Sequence, residues 1–197
     1  MRTIVQTGDP VLRQKAKEIP IADIGSVRIR EIVADMKALL AQEEYGVAIA
    51  APQVGEPLRM FVVAGSELVK KKRSKKKPEA EEESDASRRS DVETDDEYLN
   101  GLPLHDEVYI NPVLVKMSRG KKEKHEGCLS VRGKWGMVPR AEKATVRAYN
   151  EKGEKFERGA SGFLAHIFQH EMDHLDGILY IDKATSIYDD TERTESA

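Results

Sequence analysis

The stretch HIFQHEMDHLDG, His166 to Gly177, sets two histidines four residues apart with a glutamate directly after the first. A helix turns once in about 3.6 residues, so His170 and His174 project from one face and are able to grip a single ion, with Glu171 about 100° round the axis. Phe163, Ile167, His170 and His174 follow one another at intervals of four, three and four, a helical stripe, and Asp176-Gly177 supplies a stop just past Leu175. Two histidines on an amphipathic helix are more often solvated or packed than ligating. The glutamate between them changes that balance, because histidine-glutamate-x-x-histidine joins two neutral nitrogen ligands to a base beside the metal.

A catalytic site of this kind needs a third protein ligand and an open position. One zinc-protease class extends its motif by a further histidine, but HLDGILY puts Tyr180 at that place. Another class uses a downstream glutamate, and here Glu192 and Glu195 stand in a polar stretch poorly suited to rigid geometry. His166 lies on the stripe, yet eight residues at about 1.5 Å each put it roughly 12 Å from His174, so it reads as a buried or pocket-lining histidine. There remains Cys128 in HEGCLS, the one cysteine of the chain, which excludes an internal disulfide. A lone cysteine is commonly an inert hydrophobe. Its neighbours favour a ligand: Gly127 removes bulk beside it, Glu126 and Ser130 surround it with polar groups, and a thiolate suits zinc or ferrous iron.

Three segments in order, GVAIAAPQ (Gly46 to Gln53), EGCLS (Glu126 to Ser130) and QHEMDH (Gln169 to His174), resemble the signature motifs of the peptide deformylase family. DPVLRQKA near the start, and INPVL and VPRAEK between motifs, match as well, so that the resemblance covers nearly the whole chain except residues about 66 to 105. It implies a metal-dependent hydrolase that removes the N-formyl group from the N-terminal formylmethionine of nascent polypeptides and releases formate. It implies that Cys128, His170 and His174 hold one divalent ion, ferrous iron first, with zinc, nickel or cobalt accepted by the same donors. Glu171 would be the general base and acid, and the Gln53 side chain and the Leu129 N–H would donate to the oxyanion. Gly46, Val47 and Ala48 would line the peptide groove, and Lys124 and His166 the methionine pocket.

The departures from the family pattern concern substrate more than chemistry. Ala48 and Ile49 stand where the family has glycine and leucine, Lys124 and His166 where it keeps apolar side chains, and Trp135 where a substrate-facing arginine is common. A more polar pocket and a blunted methionine preference are therefore expected. Asp173 either pairs with Arg140 to brace the helix or is solvated. Two other readings of the chain are a metallopeptidase or amidase using the same ion on another substrate, and a catalytically weak ribosome- or RNA-binding module.

With 197 residues and 39% hydrophobic content, a single domain over residues 1–197 is expected, and the net charge of -3 gives no general bias towards nucleic acid. No apolar run is long enough for a membrane helix and MRTIVQTGDPVLRQK lacks a signal-peptide core, so a monomer in a reducing cytoplasm is the expectation. IADIGSVRIREIVADMKALLAQ reads as an amphipathic helix with Ile29, Ile32, Val33, Met36 and Leu40 on one side. LRMFVVA, VYINPVLVKM and KATVRAYNEKGEKFE read as strands, the last a hairpin turning at Asn150 to Gly153. The whole is an α+β arrangement, with small antiparallel or mixed sheets around a central metal-binding helix.

Residues 66–105 read as a disordered charged insertion, because Lys70 to Glu97 has almost no apolar residue with which to offset ordering entropy. Seven of the eight residues from Lys70 to Lys77 are basic and ten acidic residues follow by Glu97. This is either a solvated loop whose halves attract one another or, through residues 70–77, a salt-sensitive contact to ribosomal RNA. Residues 185–197 read as a short polar tail.

Overall fold

The first helix, α1 (Val27–Gln42), begins where the Ser26 hydroxyl accepts a hydrogen bond from the Ile29 N–H. The chain before it makes a short 3-10 turn at Ile21–Asp23, so the helix starts several residues later than its apolar pattern. Its buried residues are Ile29, Ile32, Val33, Met36 and Leu40, the stripe expected from the sequence. The computed structural model describes residues 2–66, 68–69 and 101–190.

The described residues form two antiparallel sheets. The larger contains β1 (Ala48–Ala50), β2 (Met60–Val63), β3 (Glu107–Met117), β6 (Lys143–Tyr149) and β7 (Lys155–Ser161) in the order β1-β2-β3-β6-β7. The smaller contains β4 (Lys121–Cys128), β5 (Val131–Ala141) and β8 (Ser186–Asp189) in the order β4-β5-β8. Parallel pairing among the described residues is confined to the isolated bridge Lys17–Leu58, so neither sheet is mixed. Between β6 and β7 the Asn150 side chain accepts from the N–H groups of Lys152 and Glu154, and Gly153 takes a positive φ of 77°, which closes the hairpin where the sequence marks it. Asn111 has a φ of 49°, a rare conformation for a residue with a side chain, and its amide clamps the Ile19 N–H and C=O at 2.8 and 2.7 Å.

The second helix, α2 (Gly162–Leu175), carries the two-histidine motif and packs its apolar side on the larger sheet. Phe168 meets Tyr109 edge-on at 5.2 Å, and Tyr109 stacks on Phe61 at 4.6 Å. Each such buried side chain contributes roughly 1.5–3 kcal/mol. A smaller cluster of Leu12, Val131, Val138, Leu179 and Tyr180 lies under the second sheet. The helix thus sits between the two sheets, and the end of β4 is brought against it.

Two expectations need correction at their edges. Ser66, Leu68 and Val69 are helical and Val69 and Leu102 are buried, so the shoulders of the charged insertion belong to the fold. The Gly65 N–H bonds Asp106 Oδ1 at 2.8 Å and the Ser66 N–H bonds the Pro103 C=O at 2.7 Å. Residues 70–100, including the basic run 70–77, lie outside the described residues. In the supposed tail, Ser186–Asp189 form β8, paired with Lys134–Met137; only 191–197 lie outside the described residues. No helix among the described residues is long and apolar enough to cross a membrane.

Candidate functional site

The site forms where the end of β4 reaches the buried face of α2. A register shift between Glu126 and Cys128 lets the strand turn its last side chain towards the helix. Cys128 Sγ then lies 3.2 Å from His174 Nε2, and the ligand atoms of Cys128, His170 and His174 are all within 4.8 Å of one another. His170 Nδ1 is 2.6 Å from Glu126 Oε2, so that nitrogen donates to the carboxylate and Nε2 is the ring atom left to serve as a ligand when a metal is bound. One thiolate and two imidazoles are a donor set that fits zinc, ferrous iron, nickel or cobalt. His166, by contrast, is not in this group.

Glu171 follows His170 on the helix. It is buried, its Oε2 has no hydrogen-bond partner, and burial pushes its carboxyl up to about 7. Gln53 is 2% exposed, in a 3-10 turn after β1. Its Oε1 accepts from the Ala50 N–H at 2.8 Å, which turns its Nε2 towards the site, 3.4 Å from Cys128 Sγ and 3.2 Å from Ser130 Oγ. Leu129 follows the cysteine, its carbonyl held by Gln6 Nε2 at 3.0 Å. Its side chain reaches towards Gly46, where an added Cβ would meet Leu129 Cδ1 at 3.4 Å and Leu40 Cδ1 at 3.0 Å. Val47 bonds across to Ala64 through its carbonyl, and Ala48 opens β1, the edge strand of the larger sheet.

The expected pocket residues are divided. Lys124 is half-buried in β4 opposite Val138. His166 is 6% exposed with its Nε2 2.6 Å from Glu126 Oε1, so one of its ring nitrogens is committed to a carboxylate. Trp135 donates from Nε1 to Asp190 at 2.7 Å, and its ring covers Gly127, where a Cβ would meet the indole at 3.0 Å. Tyr180, at the place of another class's third histidine, stacks beside His170 with ring centres 6.2 Å apart.

Of the alternatives for Asp173, the structure has the brace. Arg140 Nη1 donates to Asp173 Oδ2 at 2.6 Å, while its Nε and Nη2 grip Glu126 at 2.6 and 3.0 Å. Burial acts to raise the Glu126 carboxyl, but the donors of His166, His170 and Arg140 outweigh it and hold the group far below the usual carboxylate range. The part played by Glu126 is not apparent from the sequence. A metal-binding histidine almost always passes its other N–H to a carboxylate, carbonyl or water, and that rule was the available signal.

A sequence model of the family described as polypeptide deformylase matches residues 1–189. The chain is 39% identical over 180 residues to peptide deformylase 1A, chloroplastic/mitochondrial, of Arabidopsis thaliana, covering 91% of this chain and 60% of that relative's length. It is 35% identical over 185 residues to a peptide deformylase of Desulforudis audaxviator, covering 94% of each. The fold is similar to a class I type b peptide deformylase from Acinetobacter baumannii with Met-Ala-Ser bound, at a TM-score of 0.72 and 28% identity over 93% of this chain and 98% of that one. A peptide deformylase from Synechococcus elongatus in complex with actinonin gives a TM-score of 0.67 and 28% identity over 98% of this chain and 82% of that one. This chain belongs to the polypeptide deformylase family, metal-dependent amide hydrolases that remove the N-formyl group from nascent polypeptides.

Proposed function

We propose that the chain deformylates peptides beginning with formylmethionine, with Cys128, His170 and His174 holding one divalent ion, ferrous iron by preference and zinc, nickel or cobalt as substitutes. The observation that carries this reading is the convergence of those three donors on a buried carboxyl with a free oxygen, Glu171, and an aimed amide, Gln53. A bound ion of this kind supplies Lewis acidity, polarising a carbonyl and lowering the pKa of a water to about 7. Glu171 takes the proton of the attacking water and returns it to the departing amine as the formyl C–N bond breaks, a role worth roughly 10² to 10⁴ in rate. Gln53 Nε2 and the Leu129 N–H donate to the developing oxyanion, each contributing roughly 10² to 10³.

Gly46 and Val47 lead into β1, which opens at Ala48 and is an edge strand of the larger sheet among the described residues, where an extended peptide would add as a further strand. A Cβ at Gly46 would meet Glu43 Cβ and Leu40 Cδ1 at 3.0 Å, so a side chain there would force those neighbours to give by a few tenths of an ångström. Methionine as the first side chain is supported by the Acinetobacter relative described with Met-Ala-Ser bound. The commitment of His166 to Glu126 also removes one of the two polar groups expected to blunt that preference. The reading extends to a cytoplasmic monomer that meets nascent chains at the ribosome through residues 70–77, on the strength of their charge alone.

The test is formate release from formyl-Met-Ala-Ser by chain loaded with ferrous iron without air. Steady turnover, slower on formyl-Gln-Ala-Ser, is expected. Chain carrying one ion per molecule that released no formate would end the reading.

A further inference from the structure

Glu126 is anchored on β4, Arg140 on β5, and His166 and His170 one turn apart on α2. Four donors converge on the one carboxylate. Oε1 receives Arg140 Nε and His166 Nε2, both at 2.6 Å, and Oε2 receives Arg140 Nη2 at 3.0 Å and His170 Nδ1 at 2.6 Å. An ionised carboxylate has about four lone-pair sites, so every one is filled. The side chain of Glu126 is 2% exposed, which leaves no water to stand in for a missing donor.

We propose that His166 is a positioning residue of the metal centre: its Nε2–H completes the lock on Glu126 and thereby fixes the ring of His170. The proposal rests on reading Cys128, His170 and His174 as the ligands. The last torsion of a glutamate side chain is broad and roughly two-fold, so the carboxylate stays put only where its partners hold it. Arg140 pulls it from the β5 side; His166 holds the same Oε1 from the helix that carries His170. Without His166, Oε1 keeps a single donor in a buried place, the carboxylate relaxes towards Arg140, and the hydrogen bond that orients His170 loosens. His166 acts through Glu126 and not by touching the ion, in agreement with its absence from the three-donor group.

The test reads metal affinity without substrate. Cobalt(II) is titrated into the metal-free chain against a competing chelator while the cobalt absorption bands are recorded. His166→Leu should weaken cobalt binding by about tenfold or more and shift the bands, as expected when a partner of a metal-binding histidine is disturbed. His166→Gln, which returns an N–H donor at similar reach, should restore affinity to within about threefold of wild type. Ile167→Ala, at the next residue of α2, buried in the main apolar core, should lower the melting temperature and leave cobalt affinity unchanged. If His166→Leu binds cobalt like wild type, or Ile167→Ala weakens binding as much as His166→Leu, the proposal fails while the metal centre stands. A wild-type chain that took up no cobalt would overturn both.

Discussion

Glu171 is 3% exposed, its Oε2 makes no hydrogen bond, and burial raises its carboxyl from 4.5 to about 7. A proton carrier working near neutral pH needs such a value, and the same shift has a cost to stability. In the metal-free chain the folded state keeps the Glu171 proton between about pH 4.5 and 7 while the unfolded state releases it, so this contribution favours folding below pH 4.5 and is lost as pH rises through 7. Glu171→Gln removes that penalty. Above pH 7 the metal-free variant should melt higher than wild type, with a gain on the order of 3 kcal/mol, and the two should converge near pH 4.5. Equal melting curves across that range would show that the carboxyl is not raised. With metal the same variant should keep its ion and lose roughly 10² to 10⁴ in turnover. Cys128→Ser tests the other side of the site: it replaces a soft thiolate by a hydroxyl, and metal stoichiometry measured after dialysis should fall well below one.

At the scale of elements, Arg140 of β5 ties β4 to α2, gripping Glu126 on one side and Asp173 on the other. Arg140→Met would leave the buried Glu126 carboxylate without its cation and Asp173 with Lys183 alone, and loss of one partner from such a cluster costs about 3 to 5 kcal/mol. For a chain of this size each kcal/mol moves the midpoint by about 2 to 4 °C, so a fall of about 10 °C is expected by calorimetry. A fall of only a degree or two would mean that the remaining donors, His166 and His170 on Glu126 and Lys183 on Asp173, suffice without the guanidinium. The same elements mark where the sequence could and could not be read. The stripe of α1 was legible because its five buried residues alternate at helical spacing, and β2 and β3 because they are apolar runs. β4 reads Lys-Lys-Glu-Lys-His-Glu and has no apolar alternation; only pairing with β5 makes it a strand. β8 is four residues of mixed polarity, held by β5 and by the Trp135–Asp190 bond. His170, Glu171 and His174 announce themselves by local spacing, whereas Glu126 bonds histidines 40 and 44 residues away, a relation that exists only in the folded chain.

On the scale of the whole molecule, the site lies at the seam of two sheets, with candidate ligands and neighbours drawn from β1, β4, β5 and α2, and the charged insertion leaves after β2, where Val63 pairs with Ala48 and the Ala64 N–H bonds the Val47 carbonyl. That exit is closed off. Gly65 and Ser66 are bonded to Asp106 and Pro103, and Gly65 is so tightly packed that an added Cβ would lie 2.5 Å from the Leu104 carbonyl. The departing and returning chains are therefore held together by residues within the fold, and the hydrogen bonds that join β2 to β3 do not depend on what lies between. Closing a loop of different length changes the entropy only slowly, by about 0.6 kcal/mol per doubling. Replacing residues 70–100 by a short glycine-serine linker should accordingly shift the melting temperature by no more than about 3 °C, in either direction. Formate release from formyl-Met-Ala-Ser should stay within about twofold of the full chain, a difference of less than 0.5 kcal/mol in the barrier. If residues 70–77 make the ribosomal contact, the shortened chain should lose the salt-sensitive part of its binding to purified ribosomes while turning over the free tripeptide as before. Loss of turnover on the tripeptide would place the insertion in the catalytic unit, and equal ribosome binding at low salt would remove the basic run from any role there.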